Sequence, residues 1–160
     1  MPHRKRLLIE GCCYHLITRG NQKQEVFCCP DDYLMYLRLL KKFKRKFKFS
    51  VYAYCLMPNH SHIFGETAVA QSISSFMHDL NRTYTLYFNH KYMTVGHLWQ
   101  GRFRSKIISK DKYLVDCINY IELNPVRANL VDNAINYRWS SYRSRILEEK
   151  DLALDILLHI

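Results

Sequence analysis

Two periodicities alternate along the chain and predict its elements. Ser50 to Met57 reads Ser-Val-Tyr-Ala-Tyr-Cys-Leu-Met, rich in β-branched and aromatic residues, and predicts a strand. Pro58-Asn59 supplies a turn and His60 to Phe64 resumes extended structure, which makes a hairpin. Tyr14 to Thr18 is a shorter strand closed by Arg19-Gly20-Asn21, and Ser105 to Ser109 reads as a fourth. Between them lie helical stripes. Pro30-Asp31-Asp32 opens the first, with acids where the helix dipole favours them, and Tyr33, Leu34, Tyr36, Leu37, Leu40, Phe43 and Phe47 form its apolar face. Lys41, Lys42, Lys44, Arg45, Lys46 and Lys48 fall on the other face and read as a solvated face, with a phosphate track as the alternative. A second helix, from about residue 69 to 89, presents Ile73, Phe76, Met77, Leu80, Tyr84 and Phe88 inward.

Ser109 can cap a third helix with Asp111 in its first turn. Tyr113, Leu114, Cys117, Ile118 and Ile121 are its stripe, and Pro125 ends it at Asn124. At about 100° per residue, Tyr120 lies roughly 95° from the centre of that stripe, with Asn124 about 40° further round and one turn on. The order β-α-β-β-α-β predicts an α+β, ferredoxin-like antiparallel sheet with helices on one face, plus a C-terminal helix bearing Tyr120. Trp139-Ser140-Ser141-Tyr142 reads as an edge segment, and the stretch from Leu147 to Ile160 as a last helix or a frayed end. The 160 residues suit one domain, with a core over about 10–145 and a tail over 146–160.

Charge adds a partner class. With 24 Lys and Arg against 14 Asp and Glu, the formal charge is +10, which favours a polyanion. The six cysteines form no CxxC, so they read as reduced thiols in a cytoplasmic protein rather than a zinc knuckle. No stretch approaches the roughly 20 apolar residues of a membrane span, and the basic start is not followed by a signal-peptide core.

Candidate chemistry sits in three places. His60 and His62, two apart on a strand, point to one face and can converge on one ion, although such a triplet is also a common structural pattern. The stretch Gly96-His97-Leu98-Trp99-Gln100-Gly101-Arg102-Phe103-Arg104 mixes aromatics for base stacking with guanidinium for phosphate, or is an ordinary packed loop. Periodicity alone makes Tyr120 a packed side chain and Asn124 an ordinary helix ending. His15, His78, His90 and His97 have no partner at metal-ligand spacing and read as structural or phosphate-facing.

Four stretches taken together change that picture: Tyr14-His15-Leu16-Ile17-Thr18-Arg19-Gly20-Asn21, Leu56-Met57-Pro58-Asn59-His60-Ser61-His62, Gly96 to Phe103, and Tyr120-Ile121-Glu122-Leu123-Asn124-Pro125-Val126-Arg127-Ala128. In this order, with Trp139 to Tyr142, the chain resembles the single-tyrosine HUH transposases, and more narrowly their REP-associated tyrosine transposase branch. The resemblance implies that Tyr120 is a nucleophile forming a 5′-phosphotyrosine with single-stranded DNA, and that His60, His62 and Asn124 hold a divalent metal, Mg²⁺ or Mn²⁺. It implies strand nicking and joining on hairpin or palindromic repeat ends, by a monomer or a homodimer. Arg19, Asn21, His97, Trp99, Arg102, Arg104 and Arg127 are the candidate DNA contacts. One position departs from the pattern: Ser61 stands where the family usually carries a bulky apolar residue, and weaker packing is the expected consequence. The alternative is a non-catalytic or domesticated nucleic-acid-binding protein on the same fold.

Overall fold

The computed structural model describes residues 8–157. Four strands, β1 (Cys13–Arg19), β2 (Phe49–Met57), β3 (His60–Thr67) and β4 (Arg104–Ile108), form one antiparallel sheet in the order β2-β3-β1-β4. Helices α1 (Pro30–Phe47) and α2 (Ser72–Tyr92) connect them in the β-α-β-β-α-β order of a ferredoxin-like fold. Three shorter helices follow: α3 (Lys112–Glu122), α4 (Asn124–Arg127) and α5 (Tyr142–Leu147). Among the described residues no helix is long and apolar enough to cross a membrane.

Strand alternation divides the core into two layers. Leu16, Tyr54, Leu56 and Ile63 face α1 and α2, where they meet Tyr36, Leu40, Phe76, Leu80 and Tyr84. Each such side chain, wholly removed from water, contributes roughly 1.5–3 kcal/mol. Cys13, Ala53, Cys55, Met57 and Phe64 face the other way and are covered by Leu114, Cys117, Ile118 and Ile121 of α3, with Tyr137. The connecting helices thus keep to one face, and the tyrosine-bearing helix packs on the opposite one. An irregularity in the β2–β3 pairing between Val51 and Ala53 turns Tyr52 to the α3 side as well, where its hydroxyl donates to Glu66.

Ser61 is buried on the α1 side, and its hydroxyl lies 3.2 Å from that of Tyr36, so a polar pair fills the place expected to pack loosely. The edge segment is present: Trp139 accepts a bond from Leu56 N–H and Ser141 donates one to Tyr54, extending the sheet beside β2, while the Trp139 ring stacks on Tyr33 at 4.5 Å.

Four expectations are corrected. Asp111, not Ser109, is the N-cap of α3: its carboxylate accepts from Tyr113 N–H and is itself held by the Ser109 hydroxyl at 2.8 Å. The helix breaks at Leu123, one residue early, because Pro125 has no N–H for Ile121 and instead starts a new helix; Asn124 therefore opens α4. Lys44 is buried, not solvated, and pairs with Asp155 at 2.8 Å. The last described stretch forms no helix beyond α5, because Asp151 and Asp155 are engaged by β2: Asp151 accepts from the Tyr54 hydroxyl, and Asp155 accepts from Val51 N–H and donates to Val51 C=O. The final residues 158–160 lie outside the described ones.

Candidate active site

Directly paired residues of an antiparallel ladder share a face. The register sets Ile17 opposite His62, Arg19 opposite His60 and Arg104 opposite Ile17. His60, His62, Arg19 and Arg104 therefore stand on the α3 side, just beyond where α3 covers the sheet. Tyr120 and Asn124 overhang them. These residues, with Gln100, Gly101 and Arg102, line a cleft of about 510 Å³. Among the described residues that line it are three arginines and no acid, so its charge favours an anion.

Two backbone devices bring the Gly96–Arg104 stretch to this cleft. Gln100 N–H donates to Arg19 C=O and Asn21 N–H to Leu98 C=O, both at 2.8 Å. Gly20 sits at the junction, donating to Asn59 C=O; a Cβ there would lie 2.4 Å from the Gln24 carbonyl oxygen. Only glycine permits that approach. The end of α3 is tied from the other side. Buried Glu122 accepts from Arg145 at 3.0 Å and from the Ser141 hydroxyl at 2.5 Å, which fixes the turn carrying Tyr120.

The imidazoles are held through their Nδ1 atoms. Asn59 donates from Nδ2 to Lys23 C=O, so its Oδ1 is the acceptor toward His60 Nδ1 at 2.6 Å. His60 Nδ1 must then carry the proton, and His60 Nε2 is left with a bare lone pair. His62 Nδ1 lies 2.8 Å from Nε2 of His15, a buried residue of β1, while His62 Nε2 lies 3.4 Å from the Asn124 carboxamide. The rings of His60 and His62 are 4.9 Å apart. Burial, followed by Arg19, lowers His60 to about 4. Burial also lowers His62 to about 2, with His15, His60, Arg19 and Lys106 adding to it, and His15 to about 4, with Lys106 adding. All three are neutral at pH 7 and keep their lone pairs.

Tyr120 is half-exposed and its ring stands edge-on to both buried histidines, 6.1 Å from His15 and 6.3 Å from His62. Arg127 lies 4.7 Å over the ring and donates to Tyr120 C=O at 3.4 Å. Two neutral imidazoles with room beside them suit one divalent cation, and the Asn124 carboxamide next to them turns its Nδ2 toward His62. Among the described residues no three His, Cys, Asp or Glu side chains form a metal cluster.

Of the residues singled out by sequence, His60, His62, Tyr120, Asn124, Arg19, Arg102 and Arg104 meet in the cleft and Arg127 covers its tyrosine. Trp99 does not stand free. It is buried against Tyr36 and Tyr84, donates to Asn81 C=O, and forms the floor of a second, larger groove between α2 and the 97–103 stretch, where His97 is exposed on the rim. Asn21 serves this region through its backbone, under the loop. Sequence reasoning missed His15, Asn59 and the Glu122–Arg145 pair. His15 and Arg19 share a strand face by alternation, and that was the available signal for His15.

The fold occurs in a solved REP-associated tyrosine transposase bound to a REP hairpin, with a TM-score of 0.76 and 20% identity, covering 99% of this chain and 93% of that one. It also occurs, more distantly, in tRNA(His) guanylyltransferase from Saccharomyces cerevisiae, with a TM-score of 0.53 and 10% identity over 81% of this chain and 65% of the other. No curated protein matches the chain. A family model described as IS200-like transposase matches residues 9–124, the span from the approach to β1 through Asn124, and the chain belongs to that transposase family.

Proposed function

We propose that the protein is a single-strand DNA endonuclease and strand transferase of the REP-associated type, with Tyr120 as nucleophile. The observation that carries this reading is the placement of the half-exposed Tyr120 ring against His62 in a cleft lined by Arg19, Arg102 and Arg104. The Tyr120 oxygen attacks a backbone phosphorus and the bond from phosphorus to the 3′ oxygen breaks. The phenolic proton is given up to solvent and the departing 3′ oxygen is protonated, leaving a 5′-phosphotyrosine and a free 3′-hydroxyl. Guanidinium groups at the cleft wall pair with the non-bridging oxygens and set the strand in line. A 3′-hydroxyl from another strand reverses the step, and no nucleotide cofactor is consumed because the covalent link stores the phosphodiester energy.

His60, His62 and Asn124 would hold Mg²⁺ or Mn²⁺. When bound, the cation supplies Lewis acidity toward the scissile phosphate and offsets charge growing on its oxygens. A phenol is a weak nucleophile and needs such help. The substrate class is DNA with a hairpin or palindromic end and an unpaired flank, supported by the basic cleft and by the hairpin complex of the similar transposase. The fully assembled cleft within one chain supports action of each tyrosine on its own subunit's site.

The test is a labelled hairpin oligonucleotide with a single-stranded flank, incubated with Mn²⁺. Wild type should yield a nicked strand and a protein adduct that resists denaturant, and Tyr120→Phe should bind the hairpin and yield neither. Undiminished cleavage by Tyr120→Phe overturns the assignment, and binding without any adduct in the wild type leaves the non-catalytic alternative.

A further inference from the structure

The contact between His15 and His62 carries a consequence for which nitrogen of His62 is free. A neutral imidazole has one N–H and one lone pair. Across the 2.8 Å contact, one proton serves both rings. Were it on His15 Nε2, His62 would accept at Nδ1 and carry its own proton on Nε2, the atom that faces Asn124. That nitrogen could not then bind a cation. With the proton on His62 Nδ1, His15 accepts and His62 Nε2 presents a lone pair to the cleft. His60 is already fixed in that second arrangement by Asn59.

We infer that His15 is a positioning residue: through its Nε2 it accepts the Nδ1 proton of His62 and thereby aims a bare His62 Nε2 at a divalent cation in the cleft. His15 suits this role because it is buried on β1, with its ring side by side with that of His62, centroids 5.0 Å apart and planes 29° from parallel, so neither ring can turn away without opening the layer under Tyr120. The two rings then form a relay of the kind that orients histidine ligands of metals, with an imidazole where a carboxylate or carbonyl is commoner. A neutral acceptor also leaves the charge of the cleft unchanged. This inference rests on the reading of His62 as a metal ligand.

Two measurements on the full chain without DNA test it. Long-range proton–nitrogen NMR on the metal-free protein should show His62 protonated at Nδ1; protonation at Nε2 overturns the inference, whatever any variant does. In Mn²⁺ titrations followed by the EPR signal of the free ion, His15→Phe should weaken binding roughly 10- to 100-fold. His15→Gln, whose side-chain oxygen can reach the same place and accept, should retain most of the affinity. A residue that only filled space would give no such contrast between phenylalanine and glutamine. If His62→Ala loses Mn²⁺ and His15→Phe does not, the inference fails alone. If His62→Ala binds Mn²⁺ like wild type, the metal reading fails and the inference with it.

Discussion

Arg127 lays its guanidinium 4.7 Å over the ring of Tyr120 and donates to the Tyr120 carbonyl. The two residues are seven apart, about 10.5 Å along the axis of an unbroken helix. They meet where Pro125 interrupts α3 and starts α4. The stack adds to the edge-on contacts of the phenol with His15 and His62 in holding it at the cleft. A contact of this kind at a partly exposed site is worth about 0.5–2 kcal/mol. Arg127→Ala should therefore lower the single-turnover cleavage rate about 10-fold, with little effect on the unfolding midpoint. Arg127→Lys should recover little of it, because an ammonium neither stacks nor forks. Equal rates for wild type and Arg127→Ala would show that the stack does not position the nucleophile.

The hydroxyls of Ser61 and Tyr36 meet at 3.2 Å inside the layer between the sheet and α1. Removing either one leaves the other in a dry environment. Ser61→Ala and Tyr36→Phe should each cost about 1–2 kcal/mol in urea unfolding. The double variant should cost less than the sum, since it leaves no orphan hydroxyl. Ser61→Leu, which brings back the apolar character common in the family, should destabilise by about 1–3 kcal/mol because Tyr36 already fills the space. Additive single costs would show that the hydroxyls are not coupled.

The strands and the two long helices were legible because their information is local. The run of β-branched and aromatic residues over Ser50 to Met57 names a strand and the stripe from Ile73 to Phe88 a helix face without reference to the rest of the chain, and Val51 to Met57 and that stripe are buried. The hairpin also made His60 and His62 neighbours. What sequence did not yield depends on partners far along the chain. Lys44 looks like its five cationic neighbours until Asp155 arrives from 111 residues away, and Trp99 looks like a stacking platform until α1 and α2 enclose it. His15 reaches His62 only through the β1–β3 register, a pairing across 47 residues that no local pattern encodes. The cap of α3 failed for a different reason. Ser109 and Asp111 are both good caps, and the choice between them turns on which side chain reaches Tyr113 N–H.

Asp32 gives the fold a pH dependence of definite sign. Its carboxylate is wholly enclosed at the start of α1, and burial alone would raise its pKa. Bonds from Lys91 at 2.7 Å, the Tyr92 hydroxyl at 2.6 Å, the Cys28 N–H and the Tyr87 hydroxyl more than reverse this, and the pKa is lowered. A carboxylate whose folded pKa lies below its unfolded value, about 3.9, contributes stability that is complete above that value and lost as pH falls through the folded one. At pH 7, Asp32→Asn should lower the free energy of unfolding by about 2–3 kcal/mol. The gap between variant and wild type should narrow as urea curves are taken at successively lower pH below 4. A gap that is constant from pH 7 to strongly acid conditions would show that the charge of Asp32 is not what stabilises the junction of α1 and α2.

Whether one chain suffices for cleavage can be read from mixtures. His60 and His62 on β3, Tyr120 on α3 and Asn124 on α4 line the same cleft of the same chain, and Glu122 anchors the tyrosine's turn to Arg145 of that chain as well. An exchange of tyrosines between subunits would have to carry α3 away from Phe64, Cys55 and Ala53 on the sheet, exposing the layer that Leu114, Cys117, Ile118 and Ile121 bury. Tyr120→Phe keeps an intact imidazole pair, and His62→Ala keeps an intact phenol. If each tyrosine serves its own site, an equimolar mixture of the two inactive variants should cleave no faster than either alone, and a wild-type preparation diluted with Tyr120→Phe should lose activity in proportion to the wild-type fraction. Recovery of cleavage in the mixture, toward a quarter or half of the wild-type rate, would show that α3 crosses between subunits in the working enzyme.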